Sequence, residues 1–427
     1  MFKTKFVILF LVFSSLIFCQ KNFRRPNQNL FQPFYSEINL LPSDSLNLVY
    51  YSYRIPYNKL VFEKTGNEYN AGYRIAVEVM DSSSNFITRQ IEEKKLKTLN
   101  FEETNSNKLF AEGLMNFNLP KGNYNIIPLF SDLNSNTELK ISPVIINANT
   151  FFTEDFIPPL VVESKQILCD NKQSYELANF EGSIPFDESD YSLIIPFTDT
   201  SLSKINVVML NEKDTVLNSN IIDSYKSSLS LEYCDDKILI KNSSDKFKTK
   251  NFIISNFSSK IYEGDLTLIV TKGDNPKSKK TFNLTARWFN KPFSLTNYEL
   301  AIKVLKNIEE EKTVEAMLDE KEENYKKVLY NYWKNIDPTP QNTYNPLMEE
   351  FYSRVDYAAR NFSTITGKSG IDTDRGKVYI QLGKPQKIDR TSNEKGKVVE
   401  TWIYQNPQRR FVFTDLTGTG NFSLQDS

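Results

Sequence analysis

From about residue 35 to residue 150 the chain alternates apolar and polar side chains in short runs. Leu46-Asn47-Leu48-Val49-Tyr50-Tyr51-Ser52-Tyr53 and Tyr73-Arg74-Ile75-Ala76-Val77-Glu78-Val79 are rich in β-branched and aromatic residues, the second with a clear period of two. Turn-forming clusters such as Asp81-Ser82-Ser83-Ser84-Asn85 and Lys121-Gly122-Asn123 separate such runs. Leu119 to Phe130 predicts a turn leading into a late strand of an immunoglobulin-like sandwich. After Ile157-Pro158-Pro159 a second set of strands is predicted, at Ser192–Phe197, Ile205–Leu210, Lys237–Ile240 and Leu266–Val270, with Gly273-Asp274-Asn275-Pro276 as a turn. This pattern ends near Trp288.

Beyond Leu295 the apolar spacing lengthens to that of a helix. Ala301, Val304, Leu305 and Ile308 share one face, as do Tyr325, Val328, Leu329, Tyr332 and Trp333. The charge run Glu309-Glu310-Glu311-Lys312 between them predicts a solvated junction. Asn345 before Pro346 is a helix start, and Met348, Phe351, Tyr352, Val355, Ala359 and Phe362 form its expected buried stripe. After Gly370 the period returns to two. Strands at Val399–Tyr404, Arg410–Thr414 and Asn421–Leu424 predict an antiparallel meander, with Val378, Ile380 and Leu382 as a fourth strand beside it.

The fold class expected is mainly β with a C-terminal α+β domain. Two immunoglobulin-like β-sandwich domains, at 35–150 and 157–288, precede a helices-then-antiparallel-sheet module at 295–427. A length of 427 residues agrees with three domains. The first 19 residues predict a secretory signal peptide: two lysines precede the apolar run Phe6–Phe18, which is shorter than the roughly 20 residues needed to span a bilayer. Leu16-Ile17-Phe18-Cys19 allows two readings, a lipidated Cys19 or ordinary cleavage near Cys19 and Gln20. No later segment predicts a transmembrane helix, so the mature chain is expected outside the cytoplasm, in the periplasm or at the outer-membrane periphery of a bacterium. In that oxidising setting Cys169 and Cys234 either pair or remain two buried thiols; pairing would close a loop of about 65 residues and stabilise by about 4 kcal/mol.

Composition narrows the chemistry. With 52 basic and 53 acidic residues the formal charge is −1, which provides no field for nucleic acid. The chain contains no histidine. Ser-His-Asp and Cys-His hydrolysis and His-based metal sites are thereby excluded. No metal or cofactor is expected. Three local patterns are discounted: Gly367-Lys368-Ser369 lacks the first glycine of a phosphate loop, Asp132, Asn134 and Asn136 lack the rest of a calcium ligand set, and Ser201-Leu202-Ser203-Lys204 has no supporting triads.

The densest chemistry lies at Gly370-Ile371-Asp372-Thr373-Asp374-Arg375-Gly376, followed by Tyr379-Ile380, Gly383 and Pro385. Together with Trp333, Asp337-Pro338-Thr339-Pro340, Glu350-Phe351-Tyr352, Arg354, Ala358, Trp402 and Tyr404, these blocks resemble the GWxTD domain, over roughly residues 295 to 424. The resemblance implies an exported protein of Bacteroidetes-like bacteria and a family without an established activity. Ile371 stands where the family has its name-giving Trp, which favours a packing role there over a stacking platform for a ligand. Physically, the acids of Asp372-Thr373-Asp374 suit turn capping, while Gly376 and Gly383 suit backbone conformations closed to other residues. Pro385 fixes the chain exit, and Asp374 and Arg375 are expected to pair with Arg354 and Asp337.

Two functions follow. The first is an exported, non-enzymatic envelope protein whose modules bind unidentified envelope proteins or serve a structural role. The alternative is a carboxylate-based hydrolase acting on a cell-surface polymer at the helix-sheet junction, with Asp337, Asp372, Asp374 and Arg375 as its working groups.

Overall fold

In a computed structural model, residues 34–426 are described apart from 44–46, 150–154, 170–171, 245 and 274. The signal-peptide and Cys19 expectations, and Asp274 of the expected turn, lie outside the described residues.

The N-terminal unit holds β1 (Tyr35–Pro42), β2 (Asn47–Pro56), β3 (Glu63–Thr65), β4 (Glu68–Asp81) and β5 (Phe86–Thr98), then a single helical turn α1 (Phe101–Thr104). β6 (Phe110–Leu119), β7 (Asn123–Asp132), β8 (Glu138–Lys140) and β9 (Val144–Asn147) complete it. One sheet runs β1-β2-β6; in the other, β4 pairs with β5 and β7, and β7 pairs with β9. Alternate residues explain the layering: Val49, Tyr51 and Tyr53 from one sheet share a core with Ile75, Val77 and Val79 from the other. At the entry to β7 the Tyr124 hydroxyl donates to the Pro120 carbonyl at 3.1 Å. Asp132 and Asn134, the calcium-like pair, are engaged locally with the Val61 N–H and with the Val61 and Asn70 carbonyls.

Among its described residues the middle unit has eleven strands: β10 (Leu160–Cys169), β11 (Lys172–Leu177), β12 (Ser183–Pro185), β13 (Tyr191–Phe197), β14 (Ile205–Asn211), β15 (Asp214–Ile221), β16 (Ser224–Cys234), β17 (Lys237–Ser243), β18 (Thr249–Ile254), β19 (Gly264–Lys272) and β20 (Lys279–Arg287). Six of them close into a barrel in the order β10-β11-β17-β16-β18-β13, and the rest form a sheet β12-β20-β19-β14-β15. The expected pair of open sheets is therefore a closed barrel packed on a sheet. Every residue of β13 is buried. Its odd residues Leu193 and Ile195 face the second sheet, while Ile194 joins a different core that includes Leu41 and Tyr50 of the N-terminal unit. This two-sided burial is why the strand is a continuous apolar run. Cys169 and Cys234, at the ends of β10 and β16, form a disulfide with S–S 2.00 Å and Cα–Cα 6.4 Å.

The C-terminal unit starts with α2 (Tyr298–Lys303), α3 (Glu311–Leu318), α4 (Tyr325–Asn335), α5 (Pro346–Asn361) and α6 (Asp374–Leu382). The antiparallel sheet β21 (Lys387–Ser392), β22 (Val398–Gln405), β23 (Gln408–Asp415) and β24 (Phe422–Asp426) follows. Asn345 caps α5, accepting from the Met348 N–H at 3.0 Å. The stripe of α5 is buried as expected at Met348, Phe351, Tyr352 and Val355, but it continues through Ala358 and not Ala359. Ile308 is exposed, and the expected solvated junction opens α3, whose Val314 and Met317 face the core.

Val378, Ile380 and Leu382 are not a strand. Thr373 accepts from the Gly376 N–H, which starts a helix, and the consecutive residues Val378, Tyr379 and Ile380 are all buried between α5 and the sheet. A strand could not bury three residues in a row against one face. The fourth strand is instead β21, which is mostly exposed.

The units touch one another. Gly182 N–H donates to Glu37 at 2.6 Å between the first two, and Phe186, Trp288 and Tyr344 pack edge to face between the second and third. Lys108–Glu349 at 2.7 Å and Lys384–Glu102 at 2.6 Å join the first and third. No helix among the described residues is long and apolar enough to cross a membrane.

Candidate functional site

The motif segment enters as one tight turn, Gly370–Asp372, and continues as α6. Thr373 organises the transition: its hydroxyl donates to the Gly370 carbonyl at 2.8 Å and accepts from the Gly376 N–H at 3.1 Å. Both glycines are required by proximity. A Cβ on Gly370 would lie 2.0 Å from the Ala358 carbonyl oxygen, and one on Gly376 would lie 1.8 Å from the Gly370 carbonyl oxygen. Of Gly376 and Gly383, only Gly383 takes a backbone conformation closed to other residues, with φ 75° and ψ −154° at the end of α6.

Each motif acid has its own partner. Asp372 pairs with Lys306 at 3.1 Å, and Asp374 accepts from the Leu424 N–H at 2.9 Å, fastening α6 to β24. Asp337 accepts from the Thr339 N–H at 2.7 Å and the Thr339 hydroxyl at 3.0 Å, in a local turn before exposed Pro338 is left behind. The expected pairing of Asp374 and Arg375 with Arg354 and Asp337 does not occur. Arg354 instead binds Glu350 one turn away on α5 at 2.7 Å and the Gln381 carbonyl at the end of α6 at 3.2 Å, where a cation complements the helix dipole. The register of two helices decided this, and pairwise complementarity of charge did not.

Arg375 points inward. Its Nη1 contacts Glu400 at 3.3 Å, its Nη2 donates to the Gly420 carbonyl at 3.2 Å, and its guanidinium lies 3.9 Å from the Phe422 ring centroid. Desolvation lowers its pKa, opposed by the Glu400 carboxylate. Glu400, only 1% exposed, also accepts from Arg390 Nε at 2.7 Å and from the Trp402 indole N–H at 3.2 Å. The result is a buried Glu400 shared between the buried Arg375, whose Nε has no partner, and the solvent-exposed Arg390. Sequence reading missed Glu400 and Arg390. The available signal was phase, since Glu400 shares its side of β22 with the inward-facing Trp402 and Tyr404. Beyond the sheet, burial acts to raise the pKa of Asp415 but the N–H groups of Gly420, Gly418, Thr417 and Thr419 outweigh it and hold the carboxyl below its ordinary range. This loop sets the Gly420 carbonyl that meets Arg375.

The remaining motif residues are packing elements. Ile371 is half-buried against the C-terminal core, and Trp402 is buried among Phe362, Tyr379 and Phe413. Trp333 donates at 3.3 Å to Tyr352, whose hydroxyl donates to the Ala301 carbonyl at 2.8 Å, so α4, α5 and α2 are tied in one chain. Gly383 gives its carbonyl to the Tyr404 hydroxyl at 2.9 Å, and Pro385 is buried beside it. Among the described residues, no group of three or more His, Cys, Asp or Glu is arranged to hold a metal.

No curated protein matches the chain. A solved structure, that of the C-terminal domain of the Streptococcus pyogenes antigen I/II-family protein AspA, is similar at 8% identity over 60% of this chain and 100% of that one. Its TM-score of 0.17 carries no argument about this fold. The family match begins at Thr267, earlier than the expected Leu295, and so takes in β20 and Trp288, the residue that packs the middle unit onto Tyr344. Over residues 267–425, from the end of the middle unit through the helices to the last sheet, the chain matches the model of the GWxTD domain.

Proposed function

We propose that the chain is an exported, non-enzymatic protein of the bacterial cell envelope. An immunoglobulin-like β module, a barrel-and-sheet module and the GWxTD domain would present surfaces to other envelope proteins, in a periplasmic or outer-membrane-peripheral setting. One observation carries the reading: the motif's charged side chains are engaged in fastening elements together, with Asp374 on β24, Arg375 on Glu400 and Arg354 on the end of α6. A catalytic carboxylate pair needs two acids sharing a site in different environments. Here Asp337 serves its own turn and Asp372 a surface lysine. The hydroxyl of Tyr124, bonded back to Pro120 at the start of β7, supports the immunoglobulin-like character of the first module.

Crosslinking of the whole protein in its native cells, followed by identification of bound chains, tests the proposal. A specific envelope partner is expected, together with a mature N-terminus at or after Cys19 by mass spectrometry. Recovery of no partner, combined with cell-surface polymer hydrolysis that Asp374→Asn abolishes, would replace it with the enzymatic reading.

A further inference from the structure

A cleft of about 440 Å³ opens where the three units meet, within the range of small-ligand sites. Seven carboxylates and three cationic side chains line it. All three cations are already paired: Arg54 with Glu112 at 2.8 Å, Lys237 with Glu176 at 2.6 Å and Lys108 with Glu349 at 2.7 Å. Among the described residues, Glu163 and Glu188 have no partner, and Asp187 is met by Tyr191 and the Ser189 N–H but by no cation. Glu112 is the second, independent sign. Its side chain is 3% exposed, yet its Oε2 has no hydrogen-bond partner. Burial raises the pKa of Glu163, with the Glu176 and Asp187 charges adding to the rise and Lys237 and Arg54 opposing it. A buried, unanswered acceptor facing a surplus of negative charge costs stability unless something donates to it.

We propose that this cleft binds an organic cation, a primary ammonium or guanidinium group, free or carried on a lysine or arginine side chain. The aromatic rings of Phe110, Tyr191, Phe289 and Tyr344 also line the space and suit the alkyl stem and the charge of such a group. A bare divalent ion fits less well, because no metal-holding group of acids is present among the described residues. An inorganic anion would meet no unpaired cation among the described residues of this cleft. Arg54 Nε is likewise without a partner. A ligand with a carbonyl beside its cationic arm answers both orphans at once, which favours a residue within a peptide over a free diamine. The site stands independently of the envelope-partner reading, since amine binding and partner capture are measured separately and either can fail alone.

Calorimetric titration of the whole mature chain at low salt tests it, with Nα-acetyl-lysine amide, 1,5-diaminopentane, the doubly acetylated lysine amide and glutarate as probes. Saturable one-to-one binding is expected for the lysine amide, tighter than for the diamine, with none for the neutral or anionic compounds. Glu163→Gln and Glu188→Gln, which remove unpaired carboxylates, should each weaken it by about tenfold without lowering the thermal midpoint. Glu112→Gln should weaken it further. Tighter binding of the diamine would assign the site to free amines and overturn the peptide source. Absence of saturation by either amine, equal binding of the neutral compound, binding of glutarate, or undiminished affinity in folded Glu163→Gln would overturn the cation site itself.

Discussion

At the helix-sheet junction of the GWxTD domain, Glu400 is shared by Arg375, Arg390 and Trp402, and Arg375 continues to Gly420 and Phe422. In the cleft between the units, Glu163 and Glu188 have no hydrogen-bond or ion-pair partner among the described residues, and Glu112 leaves one oxygen unanswered. Both regions collect carboxylates at the meeting of several elements. At the junction two arginines answer one carboxylate, with only Arg375 Nε left over; in the cleft seven carboxylates meet three cations. A charge retained at a cost to folding is the better pointer to binding, and the most recognisable motif is the better pointer to architecture.

The largest expected effect would come from Gly376→Ala. Its Cβ would fall 1.8 Å from a backbone carbonyl oxygen with no flexible side chain to yield, so a loss of about 3 kcal/mol or more is expected in denaturant unfolding of the C-terminal domain. A wild-type midpoint would remove the steric half of the comparison. Glu400→Gln should cost about 3 kcal/mol, because it leaves the buried Arg375 facing a neutral group, while the exposed Arg390 turns to solvent. A change below about 0.5 kcal/mol would show that Arg375 is not neutralised by Glu400.

Glu37 extends the comparison to the interface of the first two units. Burial pushes its carboxyl up to about 7, with the Gly182 N–H opposing and Glu181 adding to the rise. The folded-state value lies above the unfolded one, so its contribution is complete below about pH 4.5 and is lost as pH rises through about 7. Thermal stability should fall between pH 5 and 8 by about 1 to 3 kcal/mol, and Glu37→Gln should flatten that slope. Thr373→Ala removes the cap of α6 and should cost about 1 kcal/mol. The smallest effect, and the one that sharpens the contrast most, is Glu163→Gln in the cleft. It should leave stability within about 0.5 kcal/mol of wild type or raise it, read by the urea midpoint. A clear loss would mean that Glu163 has a structural partner.

Element types were legible where one periodicity governed a long segment. Alternation predicted β4, runs rich in β-branched and aromatic residues predicted β2, β13 and β14, and the Asn345-Pro346 start with its apolar stripe predicted α5. It misled where a short apolar run satisfied two periods at once. Val378, Ile380 and Leu382 alternate, yet the capping bond of Thr373 and the burial of Tyr379 between them select a helix. The site was half legible in the same way. Gly370, Thr373 and Gly376 could be singled out from the sequence, but the partner of Arg375 lies 25 residues away on β22 and that of Asp374 lies 50 residues away on β24. No local pattern encodes such pairings.

The sequence by itself determined the order of β and helical segments, the absence of histidine chemistry and the GWxTD signature, because composition and local periodicity are properties of neighbours along the chain. Tertiary structure alone decided that six strands of the middle unit close into a barrel, that the motif's glycines answer to contact more than to dihedral angle, and which carboxylates remain without a cation. Those outcomes depend on distances between residues far apart in sequence, where burial and charge are set by whatever the fold brings alongside.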